Sequence, residues 1–499
     1  MSDNLKAKSV SAFGWALGGQ LSNQVLTFVI TLVLARLLTP EEFGLAGLVM
    51  VVNLIGQIFI DAGLSSGLIR KKEVNQVELS SFFYLNLAIG VLIMLLVFFL
   101  SAYIAGLFES KALAPLLQLS SLQFFLSSLG LIPMVLLKRE INFRFLSQLD
   151  VGINISSGLI TILLAILGFG VYSLIFRSIV SGVFSASLLW RKVSWRPSLA
   201  FSYASMKPTL AYSTGILGLS IVNTVSGNFS TVLIGKFFSI ETIGLYNRAA
   251  NTRKLVLQNF GPLFNRVFFP ILSKIQDDDA RLKAYYLKAI QMVSLFVVFL
   301  MALFFMFSDT LIYYLYGKQW VASAPILKIL CLAGLVLPIS AINLNLFMVK
   351  GKSKFLMGYE LIKNVFSLLV MFVSIHYGMD VFLYSLVGVA YLFFVMNIVL
   401  TYQKFGFSMK DQLTVFTSKL IPAFLLVLPI ELFVVKDVVS LKMVLLVAPI
   451  FTLIYFGTVF MFDKDLYRSI KNLFEGKTQL AIRKLKGLIS LKKNESSDK

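Results

Sequence analysis

The sequence predicts an all-α integral membrane protein with fourteen transmembrane helices, arranged as two pseudo-symmetric six-helix bundles and two appended helices. Three observations predict this class. The 499 residues are 58% hydrophobic and only 14% charged, whereas soluble proteins carry about 25% charged residues. Apolar stretches of about 18 residues or more recur along the chain, and such stretches cross a bilayer as helices. These stretches lack the alternation of a membrane-spanning strand, which excludes a β-barrel.

The fourteen spans are apolar runs separated by turn-forming or charged residues. They are 11–37, 42–69, 80–106, 112–137, 148–168, 170–190, 208–235, 241–268, 284–307, 320–348, 354–376, 379–402, 412–435 and 440–462. A helix needs about 20 residues to cross the hydrocarbon core, and the spans meet that length. The eighth span is the most polar, and Gly168 and Gly170 mark a tight hairpin between the fifth and sixth.

The distribution of basic residues supports this map. With the N-terminus in the cytoplasm, most of the 45 Lys and Arg residues fall in inner loops and in the C-terminal tail. The outer loops hold only Arg36, Lys111, Lys236, Lys318, Lys436 and Lys442. Cytoplasmic loops carry such an excess of positive charge, so an even number of spans with both termini in the cytoplasm is predicted. Topology therefore explains the net charge of +21 without nucleic acid as a partner.

A short internal repeat divides the spans into two halves. LARLLTPEEFGL at 34–45 matches IGKFFSIETIGL at 234–245, which aligns Gly44 with Gly244. Both copies follow an odd-numbered span, so the halves have the same orientation, as in transporters with a substrate site between parallel repeats. The predicted domains are an N-lobe of helices 1–6 (1–200), a C-lobe of helices 7–12 (201–405), helices 13 and 14 (406–463) and a basic cytoplasmic tail (464–499). The tail lies either on anionic membrane lipids or in solution.

Five basic residues inside the spans are candidates for binding an anionic ligand. Buried charge costs roughly 2.5–3.5 kcal/mol at a helix centre, so it usually marks a cavity. Arg177, Arg248 and Lys328 lie at similar depth, about 9–12 Å from the outer ends of their spans. Arg253 and Lys254 lie near the middle of theirs. If these side chains share a cavity, the cavity is cationic and lies between the halves. The alternative is that they extend to the outer interface.

Polar residues at helical spacing are candidates for binding sugar hydroxyls. They include Gln24 in the first span, Gln57 in the second, and Asn247 and Asn251 in the eighth. Such stripes line cavities or form hydrogen bonds between helices, and both roles remain open. Asp61, also in the second span, is the candidate for cation coupling through a proton or sodium ion. Its alternative role is structural, as a hydrogen-bond acceptor at a helix bend.

The sequence indicates no enzymatic activity. It contains no phosphate-binding loop, no metalloprotease motif and no serine-hydrolase arrangement. Cys331 is the only cysteine and His376 the only histidine, which excludes an intrachain disulfide and a Cys/His metal site. No segment outside the spans is long enough to form a catalytic domain. We therefore expect neither a metal nor another cofactor.

Four segments carry a resemblance to a known family. They are LARLLTPEEFGLAGL (34–48), DAGLSSGLIRKKEVNQ (61–76), NFSTVLIGKFFSIETIGLYNRA (228–249) and FFPILSKIQDD (268–278). Over essentially its whole length, the chain resembles the polysaccharide transporter family, the Wzx-type lipid-linked oligosaccharide flippases of the multidrug/oligosaccharidyl-lipid/polysaccharide flippase superfamily. The resemblance implies fourteen helices in two lobes that form a MATE-like V. Where this family pattern often has an acid, the chain has Ser230, which leaves Asp61 as the coupling candidate.

The resemblance also implies a function. The expected activity is alternating-access transfer of a polyprenyl pyrophosphate-linked oligosaccharide across the bacterial cytoplasmic (inner) membrane. The product would serve the synthesis of O-antigen, capsule or exopolysaccharide, alongside a polysaccharide polymerase and assembly proteins. One alternative is a cation-coupled multidrug exporter, whose substrates a cationic cavity would repel. The other is a membrane polysaccharide polymerase, which would normally need a large outer loop.

Overall fold

The part of the chain that the structure describes is almost entirely helical. The computed structural model describes residues 2–61, 63–258, 268–433, 438–463 and 466–468, and no residue in these ranges lies in a β-strand. The helices are α1 (Ser2–Leu37), α2 (Pro40–Asp61), α3 (Leu64–Arg70), α4 (Gln76–Leu107), α5 (Leu113–Arg139), α6 (Phe143–Ile166), α7 (Val171–Lys192), α8 (Tyr203–Phe237), α9 (Ile240–Leu257), α10 (Phe269–Lys274), α11 (Asp279–Met306), α12 (Ser308–Tyr316), α13 (Ala324–Gly334), α14 (Leu337–Val349), α15 (Ser353–Ser374), α16 (Met379–Phe405), α17 (Met409–Phe433) and α18 (Leu441–Phe462). Two 3₁₀ turns, Lys318–Ser323 and Ile375–Tyr377, precede α13 and follow α15.

Twelve helical stretches within the described ranges are long and apolar enough to cross a membrane. They correspond to predicted spans 1–6 and 9–14, which confirms a multi-pass α-helical membrane protein. The other two predicted spans fall on α8 and α9. α9 has four charged residues in its 18, which makes it less apolar than the twelve stretches. Part of the predicted eighth span, 259–267, lies outside the described residues, and the total of fourteen stays a prediction.

The described chain forms two compact units. Unit 1 consists of Met1–Ala250, Ile312–Ile326 and Ile362–Ser385. Unit 2 consists of Asn251–Leu311, Leu327–Leu361 and Leu386–Lys499. Each unit joins segments that are far apart in the sequence, and the division into lobes at residues 200 and 405 stays a prediction.

The two copies of the internal repeat build the same kind of helix start. Thr39 Oγ1 accepts the N–H of Glu42 at 3.3 Å, and Glu42 Oε2 accepts the N–H of Thr39 at 2.7 Å. This reciprocal pair is a capping box. In the second copy, Ser239 Oγ accepts the N–H of Thr242 at 3.2 Å. A hydroxyl at the N-cap satisfies a backbone donor, so α2 and α9 each begin directly after their cap.

Helices α2 and α9 cross at the two glycines that the repeat aligns. A Cβ on Gly44 would lie 1.9 Å from the carbonyl oxygen of Ile240. A Cβ on Gly244 would lie 1.9 Å from the carbonyl oxygen of Pro40. The contact is therefore reciprocal, and it brings the two backbones closer than any side chain would allow. The repeat encodes a helix crossing inside unit 1.

Replacing either crossing glycine should destabilise the protein. We expect Gly44→Ala and Gly244→Ala each to lower the free energy of unfolding by about 2 kcal/mol or more, because α2 and α9 must separate to admit a methyl group. Thermal unfolding of the purified protein in detergent measures the effect. Gly106→Ala is the matched control, because a Cβ at Gly106 meets nothing within 4 Å. Equal melting temperatures for Gly44→Ala and Gly106→Ala would contradict the crossing.

A buried ion pair ties α11, α17 and α18 together in unit 2. Lys419 is fully buried, and its Nζ lies 2.5 Å from Oδ2 of Asp463, directly after α18. Asp463 also accepts hydrogen bonds from the N–H of Leu466 and from Nε2 of Gln291. Burial raises the pKa of the Asp463 carboxyl, but the bonds from Lys419, Leu466 and Gln291 bring it below its ordinary value. The carboxylate therefore stays ionised and holds the three helices at one end.

Candidate functional site

Arg177 on α7 belongs to a polar network that connects three helices of unit 1. Its Nη2 donates to Oδ1 of Asn154 on α6 at 2.8 Å. Asn154 Nδ2 in turn donates to Oγ1 of Thr27 at 2.9 Å and to Oδ1 of Asn23 at 3.2 Å, both on α1. Arg177 and Asn154 are half-buried, and Thr27 is exposed. The bond to Asn154 fixes the direction of a guanidinium that has five donors, so further donors can serve an anion.

Arg177 and the polar stripe of α1 were predicted from the sequence, whereas Asn154 was not. The signal was present, because Asn154 is an amide within the predicted fifth span. Gln24, on the same helix as Asn23, and Gln57 on α2 are both half-buried. One turn before Gln57, Asn53 Oδ1 accepts a hydrogen bond from Ser120 at 3.3 Å. The stripe of α2 therefore contributes at least one bond between helices.

Arg248 on α9 is enclosed by aromatic rings in unit 1. Its Cζ lies 4.5 Å from the ring centroid of Phe43, 4.5 Å from that of Tyr316 and 4.4 Å from that of Trp320. The residue is only 4% exposed. A guanidinium at these distances is attracted by the electron-rich faces of the rings. Arg248 and Arg177 thus have different partners within the same unit.

The remaining candidates on α9 differ in their surroundings. Asn247 Oδ1 accepts a hydrogen bond from Oγ1 of Thr231 on α8 at 3.1 Å. Asn251 and Lys254 are exposed, and their spacing of three residues places them on one face of the helix. Arg253 is half-buried, and its Nη1 donates to the carbonyl oxygen of Leu330 at 3.3 Å. Asn251 and Lys254 therefore present an amide and an ammonium that a ligand can reach.

Lys328 on α13 binds two carboxylates in unit 2. Its Nζ lies 3.1 Å from Oδ2 of Asp309 on α12 and 2.6 Å from Oε1 of Glu431 on α17. The three side chains are 24%, 20% and 23% exposed, respectively. The sequence showed Lys328 as a charge in a span, but it could not show that two acids neutralise it. The three residues connect α12, α13 and α17, and their combined formal charge is −1.

Asp61 lies at a break in the second predicted span. Helix α2 ends at Asp61, and α3 begins at Leu64 after Gly63, whose φ is 71°. Asp61 Oδ1 accepts the N–H of Ser65 at 3.2 Å, and Gly63 O accepts a hydrogen bond from Oγ of Ser213 at 3.1 Å. The carboxylate thus satisfies a free donor at the start of α3. These bonds favour the structural role of Asp61 at a helix bend over its role in cation coupling.

These features define a multi-pass α-helical membrane protein with a broken span and with charged networks inside its helices, as transporters have. Residues 33–325 match the family described as polysaccharide biosynthesis protein. The chain belongs to this family, and the resemblance predicted from the sequence is confirmed.

The chain is also similar to proteins whose names denote polysaccharide biosynthesis or transport. The chain is 27% identical over 358 residues to the lipopolysaccharide biosynthesis protein WzxC of Escherichia coli, covering 70% of this chain and 71% of WzxC. It is 27% identical over 342 residues to the succinoglycan biosynthesis transport protein ExoT of Rhizobium meliloti, covering 68% and 69%. The lipid II flippase MurJ in an inward closed conformation is similar in structure, with a TM-score of 0.71 and 16% identity, covering 91% of this chain and 99% of MurJ. This match shows a shared fold.

Proposed function

We propose that the protein is a flippase that moves a polyprenyl pyrophosphate-linked oligosaccharide from the inner to the outer leaflet of the bacterial cytoplasmic membrane. The product supplies the synthesis of a surface polysaccharide, either O-antigen, capsule or exopolysaccharide. Membership of the polysaccharide biosynthesis family over residues 33–325 carries this proposal. The names of WzxC and ExoT support it, because one denotes lipopolysaccharide biosynthesis and the other succinoglycan transport. A polysaccharide polymerase and assembly proteins are the partners that would use the product.

The chemistry of the substrate explains the polar groups within the spans. A pyrophosphate and its sugars lose their hydration in hydrocarbon, so a carrier has to supply hydrogen bonds and positive charge. In our proposal Arg177, Arg253 and Lys254 meet the pyrophosphate, while Asn251 and the glutamines Gln24 and Gln57 bind sugar hydroxyls. The polyprenyl tail remains in the lipid. Arg248 lies among aromatic rings, and Lys328 is paired with two carboxylates. Neither residue binds the substrate in our proposal.

The proposed architecture has fourteen helices with both termini in the cytoplasm. The excess of Lys and Arg in alternate loops supports this topology. Two lobes at 1–200 and 201–405 form a V and alternate between inward and outward access, with helices 13 and 14 at 406–463 and the basic tail at 464–499. In this proposal, basic residues of the two predicted lobes serve the same substrate. Net transfer requires that the inward and outward states differ in affinity for the substrate, and a gradient of H⁺ or Na⁺ would supply the bias.

Asp61 offers a test that separates coupling from helix capping. We expect Asp61→Asn to keep at least half of the wild-type transport, because asparagine caps a helix as well as aspartate does. Asp61→Ala removes the acceptor for Ser65 N–H and should lower the free energy of unfolding by about 1 kcal/mol. Transport and melting temperature should be measured for both variants. Loss of transport in Asp61→Asn with an unchanged melting temperature would instead assign the coupling role to the carboxylate.

Deletion of the gene tests the proposed function. We expect the deleted strain to lose the surface polysaccharide and to accumulate lipid-linked repeat units on the inner leaflet, where an external glycan-modifying enzyme cannot reach them. The wild-type gene and the Gly106→Ala variant should both restore export, because an added Cβ at Gly106 meets nothing within 4 Å. Normal surface polysaccharide after deletion, in a strain without a second transporter, would contradict the proposal.

A further inference from the structure

Four side chains join distant segments at one end of unit 1. They are Phe43 near the start of α2, Arg248 on α9, Tyr316 at the end of α12, and Trp320 in the following 3₁₀ turn. We call these four residues the outer clasp, because the loops next to them are outer loops in the topology that the positive-inside rule predicts. The rings of Phe43 and Trp320 also contact each other edge to face, with centroids 5.3 Å apart.

Hydrogen bonds to the end of α1 surround the outer clasp. Trp320 Nε1 donates to the carbonyl oxygen of Ala35 at 2.7 Å. Gln319 Nε2 donates to the carbonyl oxygens of Ala35 and Leu38 at 2.7 and 2.9 Å. Arg36 Nη2 donates to the carbonyl oxygen of Tyr314 at 2.6 Å. The last carbonyls of a helix need partners from outside the helix, and here the segment around Trp320 provides them.

The contacts of the outer clasp are of a kind that water can replace. Arg248 is 4% exposed, and its guanidinium regains hydration when the rings move away, which offsets the lost attraction to them. Water can likewise bond to the carbonyls of Ala35 and Leu38. The crossing of Gly44 and Gly244 lies beside the clasp and also joins α2 to α9, so it would part together with the clasp when the outer ends of these helices separate. A packed contact that is either closed or open is a common basis for two-state behaviour.

One segment of the clasp belongs to a different unit from its neighbours in the sequence. Ile312–Ile326 lies in the predicted C-lobe by sequence, yet it belongs to unit 1, while its neighbours on both sides belong to unit 2. Tyr316 and Trp320 lie in this segment and are 2% and 0% exposed. The outer clasp thus holds a short stretch of the second half against helices of the first.

We propose that the outer clasp is the gate that keeps the outer end of the protein closed, and that Arg248 is the positioning residue that holds it shut. The inference rests on the proposed flippase function, because a carrier must close one side while the other is open. In this role Arg248 controls when the substrate is released and does not bind the pyrophosphate. Opening moves Ile312–Ile326 away from α1 and α2 and exposes the carbonyl of Ala35.

Cysteine labelling tests the gate without measuring transport. Cys331 is first replaced by Ala, and a cysteine is then introduced at Ala35 as the only thiol. Ala35 is 0% exposed in the closed clasp. A membrane-impermeant maleimide is added outside intact cells. We expect Arg248→Met to speed the labelling of Ala35→Cys at least tenfold and Arg248→Lys to speed it less. Lys318→Cys, which is exposed, is the control and should react equally with and without Arg248→Met. Equal labelling of Ala35→Cys in all backgrounds would overturn the inference.

If Arg248→Met does not fold, the surrounding bonds provide a second variant. Arg36 and Gln319 are exposed, so the double variant Arg36→Ala/Gln319→Ala removes donors without creating a cavity. It should also speed the labelling of Ala35→Cys. If the double variant folds but Ala35→Cys is labelled at the unchanged rate, the gate proposal is overturned.

Cross-linking connects the gate to transport. Arg36→Cys and Tyr314→Cys place two exposed thiols at the edge of the clasp, in the Cys331→Ala background. A short, cleavable bifunctional thiol reagent should stop flipping in reconstituted vesicles relative to either single cysteine variant, and a reductant should restore it. Flipping by the cross-linked protein at the rate of the single variants would overturn the gate. No flipping by the wild type would instead contradict the proposed function.

Discussion

Arg177→Glu is expected to reduce export of the surface polysaccharide to about one hundredth of the wild-type level. The guanidinium is half-buried and directed by its bond to Asn154 Oδ1 at 2.8 Å. Charge-assisted hydrogen bonds are worth about 1.5–3 kcal/mol each, and about 1.4 kcal/mol changes an equilibrium tenfold. A carboxylate at this position removes such a bond and repels the pyrophosphate. Arg177→Lys keeps the charge but not the fork of donors, so its loss should be intermediate.

Export by these variants can be compared in the deletion strain. Arg191→Glu is the matched control, since it makes the same charge change on α7 but at an exposed position near the end of the helix. We expect Arg191→Glu to export normally, and all variants should be present in the membrane at similar levels. Full export by Arg177→Glu would show that Arg177 does not contribute to substrate binding.

Lys328→Met is expected to lower the free energy of unfolding by about 2 to 3 kcal/mol, because it leaves two carboxylates without their shared cation. Asp309 and Glu431 lie 3.1 and 2.6 Å from Lys328 Nζ and are 20% and 23% exposed. The remaining like charges also repel each other. Lys328→Met combined with Glu431→Gln should recover part of the loss, since only one carboxylate then remains. Thermal unfolding in detergent at neutral pH measures both variants.

An exposed ion pair supplies the control for this experiment. Lys236 and Glu109 lie 3.3 Å apart, but their side chains are 46% and 83% exposed. Exposed pairs contribute little because water and salt screen them, so Lys236→Met should change the free energy of unfolding by no more than about 0.5 kcal/mol. If Lys328→Met is as harmless as Lys236→Met, the charged group around Lys328 does not stabilise the packing of α12, α13 and α17.

Much of the fold could be predicted because it depends on local properties of the sequence. The length of the apolar runs in the sequence was enough to identify the twelve helical stretches that can cross a membrane. The repeat led to the two glycines, and the structure shows that Gly44 and Gly244 meet at a helix crossing. A structural role at a helix bend was one of the two alternatives for Asp61, and the structure has a break between α2 and α3 within the second predicted span.

The partners of the charged residues could not be predicted, because they depend on which helices are neighbours. A basic residue in a span can face a cavity, reach the interface, pair with an acid or stack on aromatic rings. Arg248 has three ring neighbours from segments that are remote in the sequence. Lys328 and Glu431 are likewise far apart along the chain. Hydropathy and spacing do not distinguish these four environments. Only the tertiary structure therefore shows that Arg248 stacks on rings and that Lys328 pairs with acids.

Reconstitution of the purified protein tests the central claim most directly. The protein is inserted into vesicles that carry a fluorescent polyprenyl pyrophosphate-linked oligosaccharide in both leaflets, and a membrane-impermeant enzyme modifies only the outer glycans. We expect the full pool to become accessible within minutes when the wild-type protein is present. Vesicles that are empty, or that hold Arg177→Glu, should leave about half of the pool protected, because only one of the two leaflets is then accessible. A protected half that persists with folded wild-type protein under an imposed H⁺ or Na⁺ gradient would contradict the account.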